Sequence, residues 1–217
     1  MVGRVAAAVF MAGAYFMEAG AASAQSAPPA PIWQGWYIGL DGGGQSFSGH
    51  AQSLTSGAGG DISGSDTEAG VYGGYDWRSG PWVFGVETEW SHTFAKHTNA
   101  SDFDLFDIRG RAGFTIGSVL FYGTAGIATE NRFLGVTKFN SRSTQSLQTE
   151  AQHTGFIVGG GMEAPVSQQL SLRGEVLYFD GGKEQYSFPF AAPLTPSTWT
   201  RDFSQTIYRA GLTYHFN

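Results

Sequence analysis

Hydrophobic and polar residues alternate along much of this chain, and the alternation is clearest at its end. Tyr208, Ala210, Leu212, Tyr214 and Phe216 fall on one face, and Arg209, Gly211, Thr213 and His215 on the other. A period of two marks a strand with one apolar and one polar face. The same reading predicts eight strands, at residues 36–44, 68–77, 82–93, 103–116, 119–129, 152–164, 170–179 and 202–216. Most are long. Globular strands centre on about 5–6 residues, whereas a tilted strand crossing a bilayer needs about 9–11.

The connections are expected to alternate in length. Arg78-Ser79-Gly80-Pro81, Gly117-Ser118 and residues 165–169 read as tight turns. Gly117-Ser118 suits a II′ hairpin, because glycine takes the positive-φ first position. The other four, roughly 45–67, 94–102, 130–151 and 181–201, read as long loops. Short turns on one side and long loops on the other is the pattern of an outer-membrane barrel.

Charge parity gives an independent check. With Trp77 set opposite Trp82, Ile116 opposite Val119 and Phe114 opposite Phe121, one face collects Phe84, Val86, Trp90, Phe106, Ile108, Ile127, Phe156, Val158, Leu172 and Tyr178. The opposite face collects Asp41, Asp76, Glu87, Glu89, Asp107, Arg109, Arg111, Glu163, Arg173, Glu175 and Arg209. A one-residue slip would turn arginines outward, at about 2–4 kcal/mol each near the midplane. An interior network of Glu87, Glu89, Arg109, Arg111, Glu163, Arg173, Glu175 and Arg209 is therefore expected. All three lysines, Lys96, Lys138 and Lys183, fall in expected loops. Arginine suits the interior because its planar fork holds several carboxylates and stays protonated. Trp36, Trp77, Trp82, Trp90 and Trp199 lie near strand ends, where interfacial girdles sit.

The N-terminus changes the compartment. Arg4 precedes thirteen uncharged residues, Val5 to Met17, too few to span a bilayer, and Ala22-Ser23-Ala24 is a small-x-small cleavage site. Residues 1–24 read as a cleaved secretory signal peptide, 25–35 as a Pro-rich N-terminal segment, and 36–217 as the barrel. Composition fits: 32 glycines, 15% aromatic and only 14% charged residues, and no cysteine. The net charge of −6 argues against nucleic acid. The fold class expected is all-β, an eight-stranded antiparallel up-and-down transmembrane β-barrel with short periplasmic turns and long extracellular loops.

The segment Trp33-Gln34-Gly35-Trp36-Tyr37-Ile38-Gly39-Leu40-Asp41-Gly42-Gly43-Gly44 resembles the opening strand of small alphaproteobacterial outer-membrane proteins. These porin-family or outer-membrane immunogenic proteins have a barrel similar to the transmembrane domain of outer membrane protein A. Arg109-Gly110-Arg111-Ala112-Gly113 and Tyr122-Gly123-Thr124-Ala125-Gly126 resemble the family's fourth- and fifth-strand motifs. Gly211, Tyr214 and Phe216 fit its C-terminal assembly signal, with Asn217 departing from the usual terminal aromatic. The resemblance implies fold and compartment, the cell outer membrane, better than activity.

The expected function is a structural and surface-interaction role, with loops presented by a rigid scaffold. The alternative is a small-solute porin, although eight strands leave an interior only wide enough for side chains. Catalysis is not expected. His92 and Ser91 are adjacent on a strand and point apart, and His215 sits at the periplasmic rim. Capture of haem by His50, His92 and His97, or of a cation by Asp61, Asp66 and Glu68, is weaker than solvated loop positions. No catalytic residue, cofactor or metal is assigned. The partners expected are outer-membrane lipid and lipopolysaccharide, the barrel-assembly machinery, and an unknown extracellular partner of the loops. A soluble calyx is the rival fold, and would place the apolar face inside.

Overall fold

The computed structural model describes residues 33–94, 103–140, 143–188 and 197–216. They form eight strands: β1 Gly35–Ser53, β2 Gly59–Ser79, β3 Trp82–Phe94, β4 Phe103–Ile116, β5 Val119–Asn140, β6 Ser143–Pro165, β7 Leu170–Phe188 and β8 Ser197–His215. Each pairs antiparallel with the next, and β1 with β8, so the sheet closes into a barrel. Closure leaves no unpaired edge at membrane depth.

Alternation decides which face looks outward. Trp36, Ile38, Leu40, Phe84, Val86, Ile108, Ile127 and Phe156 are exposed on the outer wall. Glu87, Glu89, Arg109, Arg111, Glu163, Arg173, Glu175 and Arg209 are buried on the inner wall. A soluble calyx would show the reverse.

Two pairings fall as expected, Ile116 opposite Val119 and Phe114 opposite Phe121. The third is corrected. Trp77 pairs with Phe84, and Trp82 with Ser79. The turn is therefore Gly80-Pro81, two residues shorter, and the shift of two keeps every side chain on its expected face. Gly80 and Gly117 carry φ of +62° and +61°, and no non-glycine residue has positive φ. Both turns thus have the positive-φ-first geometry of II′ hairpins.

The long loops are also corrected. β1 continues to Ser53 and β2 starts at Gly59, leaving five residues between them where a loop over 45–67 was expected. β5 reaches Asn140 and β6 starts at Ser143, within the expected loop 130–151. β7 runs to Phe188 and β8 starts at Ser197. Lys138 and Lys183 consequently lie in strands. Glycine and serine interrupt residues 45–53 and 59–67, so no sustained alternation announces those extensions, yet a backbone ladder needs none. The asymmetry between the barrel's two ends is one of hairpin arms. Residues 1–32, 95–102, 141–142, 189–196 and Asn217 lie outside the described residues. With them lie the leader, most of the Pro-rich segment, Lys96, His97 and most of the loop at 94–102.

Candidate functional site

The inner wall is built in storeys. Near the short turns, Trp33 is buried against Val83, Leu120 and Tyr122. Its indole meets the His215 ring edge-on, 5.2 Å between centroids. Ser171 and Glu163 both approach His215 Nε2, at 2.9 and 3.2 Å. Serine, histidine and glutamate meet here without triad geometry. In a relay the acid orients the imidazole through its other nitrogen, whereas here both partners crowd the same one.

Above this lies the ionic storey, which brings the eight expected residues together. Arg109 reaches Glu87 at 2.6 Å, Glu89 at 2.7 Å and Glu175 at 3.0 Å, with its Nε 2.9 Å from Asp107. Arg173 holds Glu87 through both terminal nitrogens, at 2.6 and 2.8 Å, and Glu175 at 2.7 Å. Arg111 grips both oxygens of Asp76 and lies 3.4 Å from Glu163. Arg209 pairs with Glu89, donates to Glu68 at 2.6 Å and reaches Ser91 Oγ at 3.2 Å. Forked, charge-assisted contacts of this kind fix side chains as well as neutralise them.

Three tyrosines line the same storey. Tyr37 donates to Glu87 at 2.9 Å and Tyr122 to Glu175 at 3.1 Å. Arg173 stacks 4.2 Å from the centroid of Tyr72, and Arg111 4.6 Å from that of Tyr37. A Cβ at Gly39 would overlap the Tyr72 ring, so that glycine makes room for the stack. Burial strengthens such cation–π contacts.

Glu87, Glu89 and Glu175 place one oxygen each within 4.8 Å of one another, a spacing a metal could use. Arg109 already bonds to all three. The positive charge that a cation would bring is supplied by the guanidinium, so the donor set does not fit a resident metal.

Beyond the ionic storey, towards the long hairpins, the interior turns apolar. Leu105, Ala128, Ile157, Leu177, Phe179, Phe203 and Ile207 form one buried cluster, with Phe47 packed against it.

Several of these residues were not expected. Glu68 is buried and bonded to Arg209, where a solvated loop acid was expected, and Asp66 is buried on β2 as well. Asp61 is exposed, as expected, but stands on β2, 2.7 Å from His50 Nδ1. Tyr37, Tyr72 and Tyr122 share the parity of the charges, a signal present in the sequence. Trp33 sits beyond the alternating segment and carries no such signal. Three tryptophans of the expected girdle, Trp36, Trp77 and Trp82, are exposed beside the short turns, and Trp90 is exposed within β3. His92 turns outward and bonds to Asp104 at 2.7 Å, while Ser91 turns inward. Within the expected assembly signal, Tyr214 and Phe216 are exposed and meet edge-on at 5.1 Å. A Cβ at Gly211 would press on the Leu40 carbonyl at 2.9 Å.

This architecture has known relatives. The 22 kDa outer membrane protein of Rhizobium leguminosarum bv. viciae is 27% identical over 199 residues, covering 89% of this chain and 83% of that protein. The 25 kDa outer-membrane immunogenic protein of Brucella melitensis is 28% identical over 225 residues, covering 98% and 96%. The crystal structure of the outer membrane protein OprG from Pseudomonas aeruginosa superposes with a TM-score of 0.54 at 15% identity, over 85% of this chain and 97% of that one, a likeness of fold alone. The profile of the outer membrane protein beta-barrel domain matches residues 12–216, and the chain belongs to that family of the bacterial outer membrane.

Proposed function

We propose that this barrel is a closed structural scaffold of the outer membrane, whose extended hairpins present a surface to the outside. The observation that carries the reading is the filled interior. Arg109 and Arg173 tie Glu87, Glu89 and Glu175 across the lumen, and apolar clusters pack on either side of them. An eight-stranded barrel has room for side chains and little else. We assign it no catalytic residue and no cofactor. Outer-membrane lipid and lipopolysaccharide surround it. The barrel-assembly machinery reads Gly211, Tyr214 and Phe216, and an extracellular partner meets the hairpins.

The test is single-channel conductance of the refolded mature protein in a planar lipid bilayer. An inserted, silent protein is expected. Replacing both Glu87 and Glu89 with alanine removes two carboxylates from Arg109 and is expected to raise ion leakage. Discrete, reproducible steps from the unmodified protein would overturn the scaffold reading in favour of a small-solute channel. Because inner-wall acids outnumber arginines in this storey, such a channel would prefer cations.

A further inference from the structure

One side chain crosses the mouth of the barrel at its short-turn end. Trp33 precedes β1 and is 1% exposed. It packs on Val83 of β3 and on Leu120 and Tyr122 of β5, and its ring meets His215 of β8 edge-on. β3, β5 and β8 are not neighbours in the closed sheet. An indole that touches all three therefore lies across the lumen and not along one wall. Its seat is at the mouth itself. Val83 and Leu120 are each the second residue of a strand leaving a short turn, and His215 is the last residue of β8.

The chain turns into this opening on a glycine. Gly35, the first residue of β1, has φ of +115°, a conformation that glycine alone adopts readily. A Cβ there would press on the Phe216 carbonyl at 3.3 Å. The same corner joins the two ends of the barrel seam, because the Phe216 N–H donates to the Trp36 carbonyl at 2.9 Å.

The way the ring is held differs from everything above it. Arg109 and Arg173 are each fixed by several carboxylates. The indole N–H meets no acceptor, and Trp33 and Gln34 make no backbone–backbone hydrogen bond with another described residue. Packing alone keeps the ring in place, on a glycine pivot. Segments held by few bonds open locally at little cost to the rest of a fold. Behind the ring lie Ser171, His215 and Glu163, with the Ser171 hydroxyl 2.5 Å from Glu163 and 2.9 Å from His215 Nε2. Glu163 lies 3.4 Å from Arg111, so this cluster is the lower edge of the ionic storey.

We propose that Trp33 and Gly35 form a hinged stopper for the periplasmic mouth. Seated, the ring shuts periplasmic water away from Ser171, His215 and Glu163. Swung out about Gly35, it opens that cluster to small polar solutes and leaves the lumen above it closed. The barrel then carries two seals in series, an ionic one that is fixed and an aromatic one that is removable.

The chain has no cysteine, so a single introduced thiol reports on access. Ser171→Cys and Ser91→Cys change little in shape, and both positions are 0% exposed. The first lies behind the stopper, and the second lies further up β3 than Val83. Each is reacted with a charged, water-soluble maleimide in the refolded mature protein, and heat-modifiable mobility on gels verifies the barrel. Both thiols are expected to react slowly in the otherwise unmodified chain. Adding Trp33→Ala is expected to speed labelling at Ser171→Cys about tenfold and to leave Ser91→Cys protected, since labelling follows the population of the open form. Gly35→Val keeps the indole but strains the pivot, and is expected to act in the same direction. Trp33→Phe, with a smaller ring in the seat, carries the same test if the alanine variant does not refold. Rapid labelling at Ser171→Cys with Trp33 in place overturns the proposal, because the mouth is then open. Equal rates with and without the indole overturn it too, as does equal acceleration at Ser91→Cys, which would mean that the whole barrel has loosened. None of these results depends on whether the barrel conducts ions, so the stopper and the closed scaffold stand or fall separately.

Discussion

Arg109 and Ile157 face the same barrel interior, each with 1% or less of its surface exposed, and their surroundings share no chemistry. Arg109 is ringed by Glu87, Glu89, Asp107 and Glu175. Ile157 is ringed by Leu105, Leu177, Phe179 and Ile207. The apolar storey is an ordinary protein core. The ionic storey exists because lipid takes the outer face: with the apolar side of each strand turned outward, the charges have only the lumen. There they must satisfy one another, because an unpaired buried charge is far more costly than a paired one. Two cores of opposite chemistry therefore follow from one period-two pattern, according to how apolar the inner face is at each height.

The largest effect is expected from unpairing the ionic storey. Arg109→Met removes the shared partner of four carboxylates. Breaking a buried pair in this way costs about 3–5 kcal/mol. Urea unfolding of the barrel in phospholipid vesicles is expected to shift to lower denaturant by that amount, and ion leakage is expected to rise. A midpoint unchanged from the parent would mean that the arginine and acids are not held together as drawn.

Ile157→Ala attacks the other storey. A cavity there costs about 2–5 kcal/mol by lost transfer and packing energy. Bilayer conductance is expected to stay at baseline, because the ionic storey remains intact. If the alanine variant leaks as much as Arg109→Met, the seal lies in the apolar cluster and the comparison between storeys reverses.

The outer wall is tested by Ile108→Arg, which places a charge in the lipid band beside the buried Arg109. The expected loss is about 2–4 kcal/mol if the position is near the midplane. Phe84→Arg, closer to the short turns, should cost less. Equal losses at both positions would contradict the depth assigned to the band.

Much of this was legible in the sequence, and the exceptions share a cause. Charge parity separates Arg109 from Ile108 and Glu87 from Val86 without ambiguity, so the inner and outer walls and the eight network residues could be read directly. Glu68 opens the expected strand 68–77, yet was read as a solvated acid because the segment before it, rich in glycine and serine, resembles a loop. The structure shows it as strand, where backbone pairing alone sustains β2 from Gly59. The apolar storey was hidden for the opposite reason. Phe156, Ile157 and Val158 form a continuous apolar run, and alternation vanishes when both faces are apolar. Trp33 precedes β1, where no periodicity says that a side chain turns back into the lumen.

The smallest expected effect belongs to neither storey, which is its use. Gly117 occupies the first position of the β4–β5 turn with φ of +61°, and a Cβ there would meet nothing within 4 Å. Gly117→Ala therefore disturbs no packing and no ion pair, and only the backbone preference changes. Holding an L-residue in the left-handed region costs about 1–2 kcal/mol. The same vesicle unfolding experiment should show that loss with conductance unchanged. It sets the scale of a purely local strain in this barrel, against which the excess in Arg109→Met and Ile157→Ala can be assigned to the interior. A loss as large as theirs would show that the short turn itself governs barrel stability, and the two storeys could no longer be ranked by substitution.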